Sequence, residues 1–239
     1  MKKRKKKLVF YICSIPILVL FLILLVSYIL TPQPVNALMV GLSSMTEYEN
    51  HIYMEQSIPE ETQKEIIDDY GKSKDKILDF FNEVSASPTI IFVQSPETTK
   101  RYAQNRTGQT YYMYWGNYIV IGPNGFNEDV IAHELMHSEL RERVKKKDSI
   151  PVWFDEGLAM LVDDRFSSIN TDKVDFEELE RLATRSVFYD PESSSENYLT
   201  AKSEVSRWYG ISGKQGLINL INGLNAGTPF YKLYNEIEY

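Results

Sequence analysis

The chain has 239 residues, and its 33 Asp and Glu exceed its 26 Lys and Arg, so its charge argues against nucleic acid as a partner. Six of the positive charges lie in residues 2–7, which leaves 20 Lys and Arg against the same 33 acidic residues in the remainder. The single cysteine, Cys13, excludes a disulfide bond within the chain.

The first thirty residues combine a basic run with an apolar one. Residues 1–7 are basic, and residues 8–30 (LVFYICSIPILVLFLILLVSYIL) contain no charged side chain. About 20 apolar residues in a helix cross a bilayer core, and flanking Lys and Arg stay on the cytoplasmic side. We therefore predict a cytoplasmic tail over 1–7, a transmembrane helix over 8–30, and a single-pass protein of the cell membrane whose remaining residues are extracellular.

Two other interpretations of this segment are weaker. The basic run lies directly against an apolar span, and this position disfavours nucleic-acid binding by the run. A cleaved signal peptide is compatible with the small residues of Val35–Ala37. However, the apolar run is longer than the roughly 7–15 residues usual in such a peptide. A retained anchor is the favoured interpretation.

A spacer and a helix are predicted to follow. Residues 31–58 begin with an uncharged stretch that contains two prolines, which indicates a juxtamembrane spacer. A helix is expected from Pro59 to about Val84, because Pro59 suits a first helical position and apolar residues recur at helical spacing. Two β segments come next: Thr89–Gln94, and a hairpin over Thr110–Gly122.

The rest of the chain is predicted to be helical. Asn127 can cap a helix that carries two of the three histidines. Another helix is expected from Ile150 to about Asp164, and three more near residues 174–187, 198–209 and 213–224. One helix, then strands, then helices alone predict an α+β domain over residues 59–239, with a small sheet in its first half.

The stretch DVIAHELMHSEL places His133 and His137 four residues apart, with Glu134 between them. On a helix this spacing puts both imidazoles on one face, where they can meet a single ion. Glu134 is offset by one residue, near the metal but free to hold a water. This is the H-E-x-x-H arrangement of a zinc peptidase. The alternative is a pair of structural histidines on a core helix.

A catalytic zinc takes three protein ligands and keeps a position open for water. Glu156 is the candidate third ligand, because the eighteen residues between His137 and Glu156 let the chain turn and bring a second helix back beside the first. The combined pattern resembles the gluzincin metallopeptidases with their peptidase MA-like domain, especially the aminopeptidase N type. WFDEGLA (Trp153–Ala159) is similar to that group's Trp-Leu-Asn-Glu-Gly-Phe-Ala signature.

The resemblance implies a zincin-like fold and a role for each matching residue. It implies Zn²⁺ as the cofactor, held by His133, His137 and Glu156, with Glu134 as the general base. Asp163 stands seven positions after the glutamate ligand, where the family has an acidic residue bonded to a zinc histidine.

A later segment, YLTAKSEVSRWYG, resembles the helix on which the family places a tyrosine that stabilises the transition state. Tyr198 is the counterpart of that tyrosine. The chain departs from the family in two places. The family's Lys-Gly pair after this tyrosine is Thr200-Ala201 here, and the Gly-x-Met-Glu-Asn motif, which binds a free amino terminus, does not occur.

These features predict a membrane-anchored, zinc-dependent metallopeptidase that hydrolyses internal bonds of a peptide or protein on the outer side of the membrane. The alternative is a catalytically silent zincin-fold module that acts as a scaffold or sensor for a peptide or cell-surface partner. The intact ligands and Glu134 favour the enzyme, since a silent module does not need the general base. The sequence leaves the substrate and the oligomeric state open.

Overall fold

A computed structural model describes residues 28–113, 116–165 and 173–238, together with single positions between 15 and 26. Over these ranges the chain is α+β, with one mixed five-stranded sheet in its first half and helices in its second. The basic tail predicted over residues 1–7 lies outside the described residues.

The sheet has the spatial order β1-β2-β3-β5-β4, so β1 and β4 are its edges. Strands β2, β3 and β5 run parallel, and the two outer pairs are antiparallel. The strands span Thr46–Glu49 (β1), Ile52–Met54 (β2), Thr89–Phe92 (β3), Gly108–Met113 (β4) and Gly116–Ile121 (β5). The predicted hairpin is therefore β4–β5, with Met113 opposite Gly116 at its turn.

The helices are placed before, between and after the strands. They span Pro32–Leu38 (α1), Glu60–Phe81 (α2), Pro96–Tyr102 (α3), Glu128–Arg143 (α4), Val152–Ala159 (α5), Phe176–Arg181 (α6), Arg185–Phe188 (α7), Ser194–Asn225 (α8) and Phe230–Glu238 (α9). Short 3₁₀ turns lie at Val40–Leu42, Pro123–Gly125 and Lys147–Ser149. The element α8 consists of two helices joined at Gly213, whose φ of 62° and ψ of −171° are not helical, and these correspond to the two helices predicted near 198–209 and 213–224.

The central strands are buried on both faces, which explains their unbroken apolar runs. On one face, Ile90 and Ile119 join the main core with α2, α4 and α5. On the other face, Ile91 and Val120 pack with Ala37 of α1 and with α3. Residues 31–58, predicted as a spacer, thus supply a buried helix and two strands of the sheet.

The prediction of a transmembrane helix over residues 8–30 is corrected. Among the described residues, no helix is long and apolar enough to cross a membrane. Most of residues 8–30 lie outside the described residues. A crossing helix needs about 20 consecutive apolar residues, whereas the long helices α2 and α8 carry charged residues along their length. The predictions of a single-pass cell-membrane protein and of an extracellular catalytic domain are corrected on the same finding.

An aromatic cluster joins α5 to the last two helices. Trp153 and Phe154 of α5 lie edge-on to Phe230 and Tyr234 of α9, with ring centroids 5.0–6.2 Å apart. Trp208 of α8 stacks on Tyr234 and meets Phe154 edge-on. Burying one such ring contributes about 1.5–3 kcal/mol. The cluster therefore fixes where α5, the helix that carries Glu156, lies in the fold.

Candidate metal centre

Helix α4 carries the first two candidate ligands through the middle of the protein. Its N-terminus is capped by the side chain of Asn127, which accepts a hydrogen bond from the backbone N–H of Val130 at 3.0 Å. Every residue from Val130 to Leu140 is buried, including His133, Glu134 and His137. Buried polar groups are costly unless they are paired or bind a ligand. These three side chains therefore need partners.

The three candidate ligands meet at one point. The Nε2 atoms of His133 and His137 lie 3.2 Å apart, and Glu156 Oε2 lies 3.4 Å from the first and 3.5 Å from the second. An ion with tetrahedral bonds of about 2.0–2.1 Å holds its ligand atoms about 3.3–3.4 Å apart. Glu156 Oε2 is buried and has no hydrogen-bond partner among the described residues. His133, His137 and Glu156 thus form a buried group that can hold a metal ion.

The three candidate ligands shift one another's pKa values, which favours protonated imidazoles beside an ionised carboxylate. Burial alone would lower the pKa of His133 and His137, but the negative charge of Glu156 outweighs it at His137, and Asp163 and Glu156 together outweigh it at His133. Both pKa values are therefore raised. Burial alone would raise the pKa of Glu156, but the two imidazoles hold it below its usual range. Because a metal binds the deprotonated donors, metal binding releases protons.

Each imidazole is oriented by its own carboxylate. His137 Nδ1 lies 2.9 Å from Asp155 Oδ1, and His133 Nδ1 lies 3.4 Å from Asp163 Oδ2. Each carboxylate contacts an arginine in turn: Arg141 Nη2 is 3.4 Å from Asp155, and Arg165 Nε donates to Asp163 at 2.8 Å. Such outer partners fix the tautomer and the direction of the ligand nitrogen.

The sequence predicted Asp163 as one of these partners but placed it on the helix of Glu156. In the structure α5 ends at Ala159, and Asp163 reaches His133 from the turn beyond. Burial alone would raise the pKa of Asp163, but the guanidinium of Arg165 and the imidazole of His133 hold it well below its usual range. Asp163 therefore remains ionised beside the histidine.

Strand β4 holds the candidate general base. Thr110 Oγ1 donates a hydrogen bond to Glu134 Oε2 at 2.6 Å. A Cβ atom at Gly108 would lie 2.7 Å from Glu134 Oε1, which is too close for any side chain there. The Thr110 hydroxyl therefore holds the Glu134 carboxylate against the edge strand, and Gly108, which has no side chain, leaves the space that this carboxylate occupies.

Two tyrosines, Tyr189 and Tyr198, lie beside the candidate metal ligands. Tyr189 donates a hydrogen bond to Glu156 Oε1, the oxygen that is turned away from the histidines. The Tyr198 ring lies 6.4 Å from the Tyr189 ring, and Phe188 packs edge-on against both. Burial, followed by the charge of Glu156, raises the pKa of both tyrosines, so their hydroxyls stay protonated as donors at neutral pH.

The helix of Tyr198 packs directly on the helix of Glu156. A Cβ atom at Gly157 would lie 2.5 Å from the Ala201 carbonyl oxygen and 2.6 Å from a Val205 methyl, so only glycine permits this approach. Lys202 adds a second link between the two segments, since its Nζ donates to the Asp163 carbonyl oxygen at 2.9 Å.

The cluster lies in an open cavity of about 350 Å³. The cavity is lined by His133, Glu134, His137 and Glu156, together with Gln104, Asn105, Gly108, Gln109, Thr110, Tyr112, Arg185, Tyr189 and Tyr198.

No protein-family model matches the chain, and no curated protein and no solved structure matches it either. The resemblance to the gluzincins therefore rests on the motif residues of the sequence, and the geometry of His133, His137 and Glu156 shows a possible metal site without identifying a family.

The structure brings together all six residues that the sequence singled out. They are His133, Glu134, His137, Glu156, Asp163 and Tyr198. His51, predicted to be a surface residue, is exposed and lies outside this group.

Sequence reasoning missed three polar contacts of the site: Asp155 with His137, Thr110 with Glu134, and Tyr189 with Glu156. For Asp155, the position next to a ligand glutamate was a usable signal. Nothing in the local sequence marks Thr110 or Tyr189.

Proposed function

We propose that this protein is a zinc-dependent metallopeptidase of the gluzincin type that hydrolyses internal peptide bonds. One observation carries the proposal: the buried His133, His137 and Glu156 triangle shares a cavity with Glu134, an acid that is not one of the three ligands. Two imidazoles and one carboxylate, spaced for a tetrahedral ion, are a ligand set that suits zinc and leaves its fourth position open.

Each step of the proposed reaction is assigned to a residue of the cavity. His133, His137 and Glu156 would hold a zinc ion, which would supply a bound water with its pKa lowered toward about 7 and a positive charge to polarise the scissile carbonyl. Glu134 takes a proton from the attacking water as general base and passes it to the leaving amine. Thr110 fixes the direction of the Glu134 carboxylate. The Tyr198 hydroxyl, held protonated, donates to the oxyanion that develops on the scissile carbonyl.

The edge of the sheet is suited to bind an extended peptide. Strand β4 borders the cavity and pairs only with β5 in the described part of the chain, so its other edge has no strand partner there, although the Gly108 carbonyl oxygen already accepts a hydrogen bond from Asn105 Nδ2 at 3.0 Å. Peptides commonly bind to such an edge by main-chain hydrogen bonds. A substrate paired with Gly108–Met113 would pass over Glu134. The lack of the Gly-x-Met-Glu-Asn motif favours cleavage within the peptide over removal of single amino-terminal residues.

A digest of a peptide library by the purified protein tests the proposal. Three samples are compared: protein loaded with zinc, protein stripped by a chelator, and stripped protein to which zinc has been restored. We expect internal cleavage in the first and third samples only. Release of single amino-terminal residues would make the enzyme an exopeptidase. Identical peptides in all three samples would favour the silent scaffold or sensor over the enzyme.

Replacement of each tyrosine by Phe should affect a different measurement: zinc affinity for Tyr189 and kcat for Tyr198. Tyr189→Phe removes the hydrogen bond to Glu156 Oε1 and should weaken zinc binding by about 10-fold, as loss of an outer partner of a metal ligand typically does. Tyr198→Phe should lower kcat by about 10²-fold or more, because an oxyanion donor is lost. Chelator competition measures the first effect and steady-state kinetics the second. Equal zinc affinity in Tyr189→Phe and wild type would contradict the role given to Tyr189.

A further inference from the structure

Arg185 differs from most of the described arginines in having no ion pair. Within the described ranges, its guanidinium contacts only the ring of Tyr189, with Cζ 5.7 Å from the ring centroid. Carboxylate partners are present for Arg141, Arg143, Arg165, Arg181 and Arg207. Arg185 is therefore a charged donor whose hydrogen-bonding capacity for carboxylates is unused.

The Arg185 side chain lines the cavity that contains the candidate ligands His133, His137 and Glu156. Of the described residues that border the cavity, only Arg185 carries a fixed positive charge, and the amides Gln104, Asn105 and Gln109 border the same cavity. Its charge lies near the candidate metal ligands, since Arg185 Cζ is 5.7 Å from the centroid of the Tyr189 ring and the Tyr189 hydroxyl donates a hydrogen bond to Glu156.

With a divalent metal ion bound, the acidic residues of the site would not neutralise the charge of Arg185. Glu134 and Glu156 together carry two negative charges, which a divalent ion would balance, so the guanidinium remains as the excess charge in the cavity. The chain as a whole has a net charge of −7. Remote surface acids are screened beyond about 8 Å at physiological ionic strength, whereas a group inside the cavity acts on a bound peptide directly.

We propose that the cavity selects peptides that carry a carboxylate close to the scissile bond, with Arg185 as its partner. The inference rests on the proposed peptidase function and names its substrate class. Guanidinium and carboxylate form paired, directional hydrogen bonds, so arginine is well suited to this recognition. The carboxylate belongs either to an Asp or Glu side chain or to a free carboxyl terminus near the cleaved bond.

The test uses matched peptides that differ at one position near the cleaved bond, with Glu, Gln or Lys. Each is made with a free and with an amidated carboxyl terminus, so that the two sources of carboxylate are separated. For wild type we expect kcat/KM for the carboxylate peptide to exceed that for the neutral one by about 10-fold or more, a ratio that falls as salt is added. Arg185→Gln should bring this ratio close to one, and Arg185→Glu should favour Lys over Glu.

Arg101→Gln is the matched control. Arg101 is also exposed and contacts a tyrosine ring, with Cζ 5.6 Å from the centroid of Tyr102, but it does not border the metal cavity. The preference for the carboxylate peptide should be unchanged in this variant. A wild-type enzyme without such a preference, or a preference that survives in Arg185→Gln, would overturn the inference.

A binding measurement separates this inference from the proposed function. Zinc-loaded Glu134→Gln protein is titrated with the same peptides, with and without Arg185→Gln. If wild type cleaves no peptide, the proposed function fails. The inference still stands if the carboxylate peptide binds about 10-fold more tightly and loses that advantage in Arg185→Gln. Equal affinity for the carboxylate and neutral peptides contradicts it, whatever the kinetics show.

Discussion

A Glu134→Gln protein should fold and bind zinc as wild type does, yet lose peptide hydrolysis by about 10⁴-fold, the upper range for a positioned general base. Gln has nearly the same shape as Glu, and its amide oxygen can still accept the hydrogen bond that Thr110 Oγ1 donates at 2.6 Å. It cannot take a proton from the attacking water. The variant therefore separates proton transfer from the architecture of the site.

The measurement is kcat/KM on the best peptide of the library, with zinc content determined on the same samples. Glu142→Gln is the control, because it makes the same substitution on the exposed side of the same helix. It should retain wild-type activity and zinc. If Glu134→Gln kept more than a tenth of the activity, the general base would have to be sought elsewhere.

Zinc should raise the thermal stability of wild type and have no such effect on Glu156→Gln. Glu156 Oε2 is the anionic member of the ligand triangle, and a neutral amide is a poor replacement for it. At free zinc about 1,000 times above Kd, mass action adds about 4 kcal/mol to the free energy of unfolding of wild type. For a chain of this size each kcal/mol raises Tm by about 2–4 °C, so the expected rise is about 8–16 °C.

Calorimetry with and without zinc measures the shift, and metal analysis measures occupancy. His137→Ala should behave as Glu156→Gln does, because it removes another member of the same triangle. Glu142→Gln again serves as the control and should show the full wild-type shift. Stoichiometric zinc in either ligand variant would contradict the assignment of the centre.

The ligand triangle could be predicted because local geometry determines most of it. A helix places residues i and i+4 on one face, so His133 and His137 needed only the correct assignment of α4. Glu156 followed from the length of the linker and from the family's motif. The α+β arrangement could likewise be predicted, because strands and helices differ in the spacing of their apolar residues.

The contacts around the triangle could not be predicted, because tertiary packing creates them. Helix α5 was expected to run to Asp164 but ends at Ala159. Lysines from other helices donate hydrogen bonds to the backbone carbonyl groups beyond its end. Lys76 of α2 donates to the Val162 carbonyl at 3.2 Å, and Lys202 of α8 donates to that of Asp163. Neither contact leaves a local signal in the sequence, and the same holds for the hydrogen bond from Tyr189 to Glu156.

The start of the domain was also beyond sequence reasoning. Residues 46–54 contribute two short strands, one of which is an edge strand whose four residues are all exposed. Their position in the sheet depends on pairing with β3, which lies more than thirty residues later in the chain. A pattern confined to a few residues cannot reveal such a pairing.

Gly157 allows the helices that carry Glu156 and Tyr198 to pack closely against each other. An ordinary contact needs at least 3.4 Å, whereas a Cβ atom at this position would lie 2.5 Å from the Ala201 carbonyl oxygen. Any side chain would thus force α5 and α8 apart by about 1 Å, a displacement that can cost about 10²-fold in rate when it separates reacting groups. Glu156 lies on one of these helices and Tyr198 on the other. In the proposed mechanism, the alignment of the ligand Glu156 with the oxyanion donor Tyr198 therefore depends on a residue that contacts neither the metal nor the substrate.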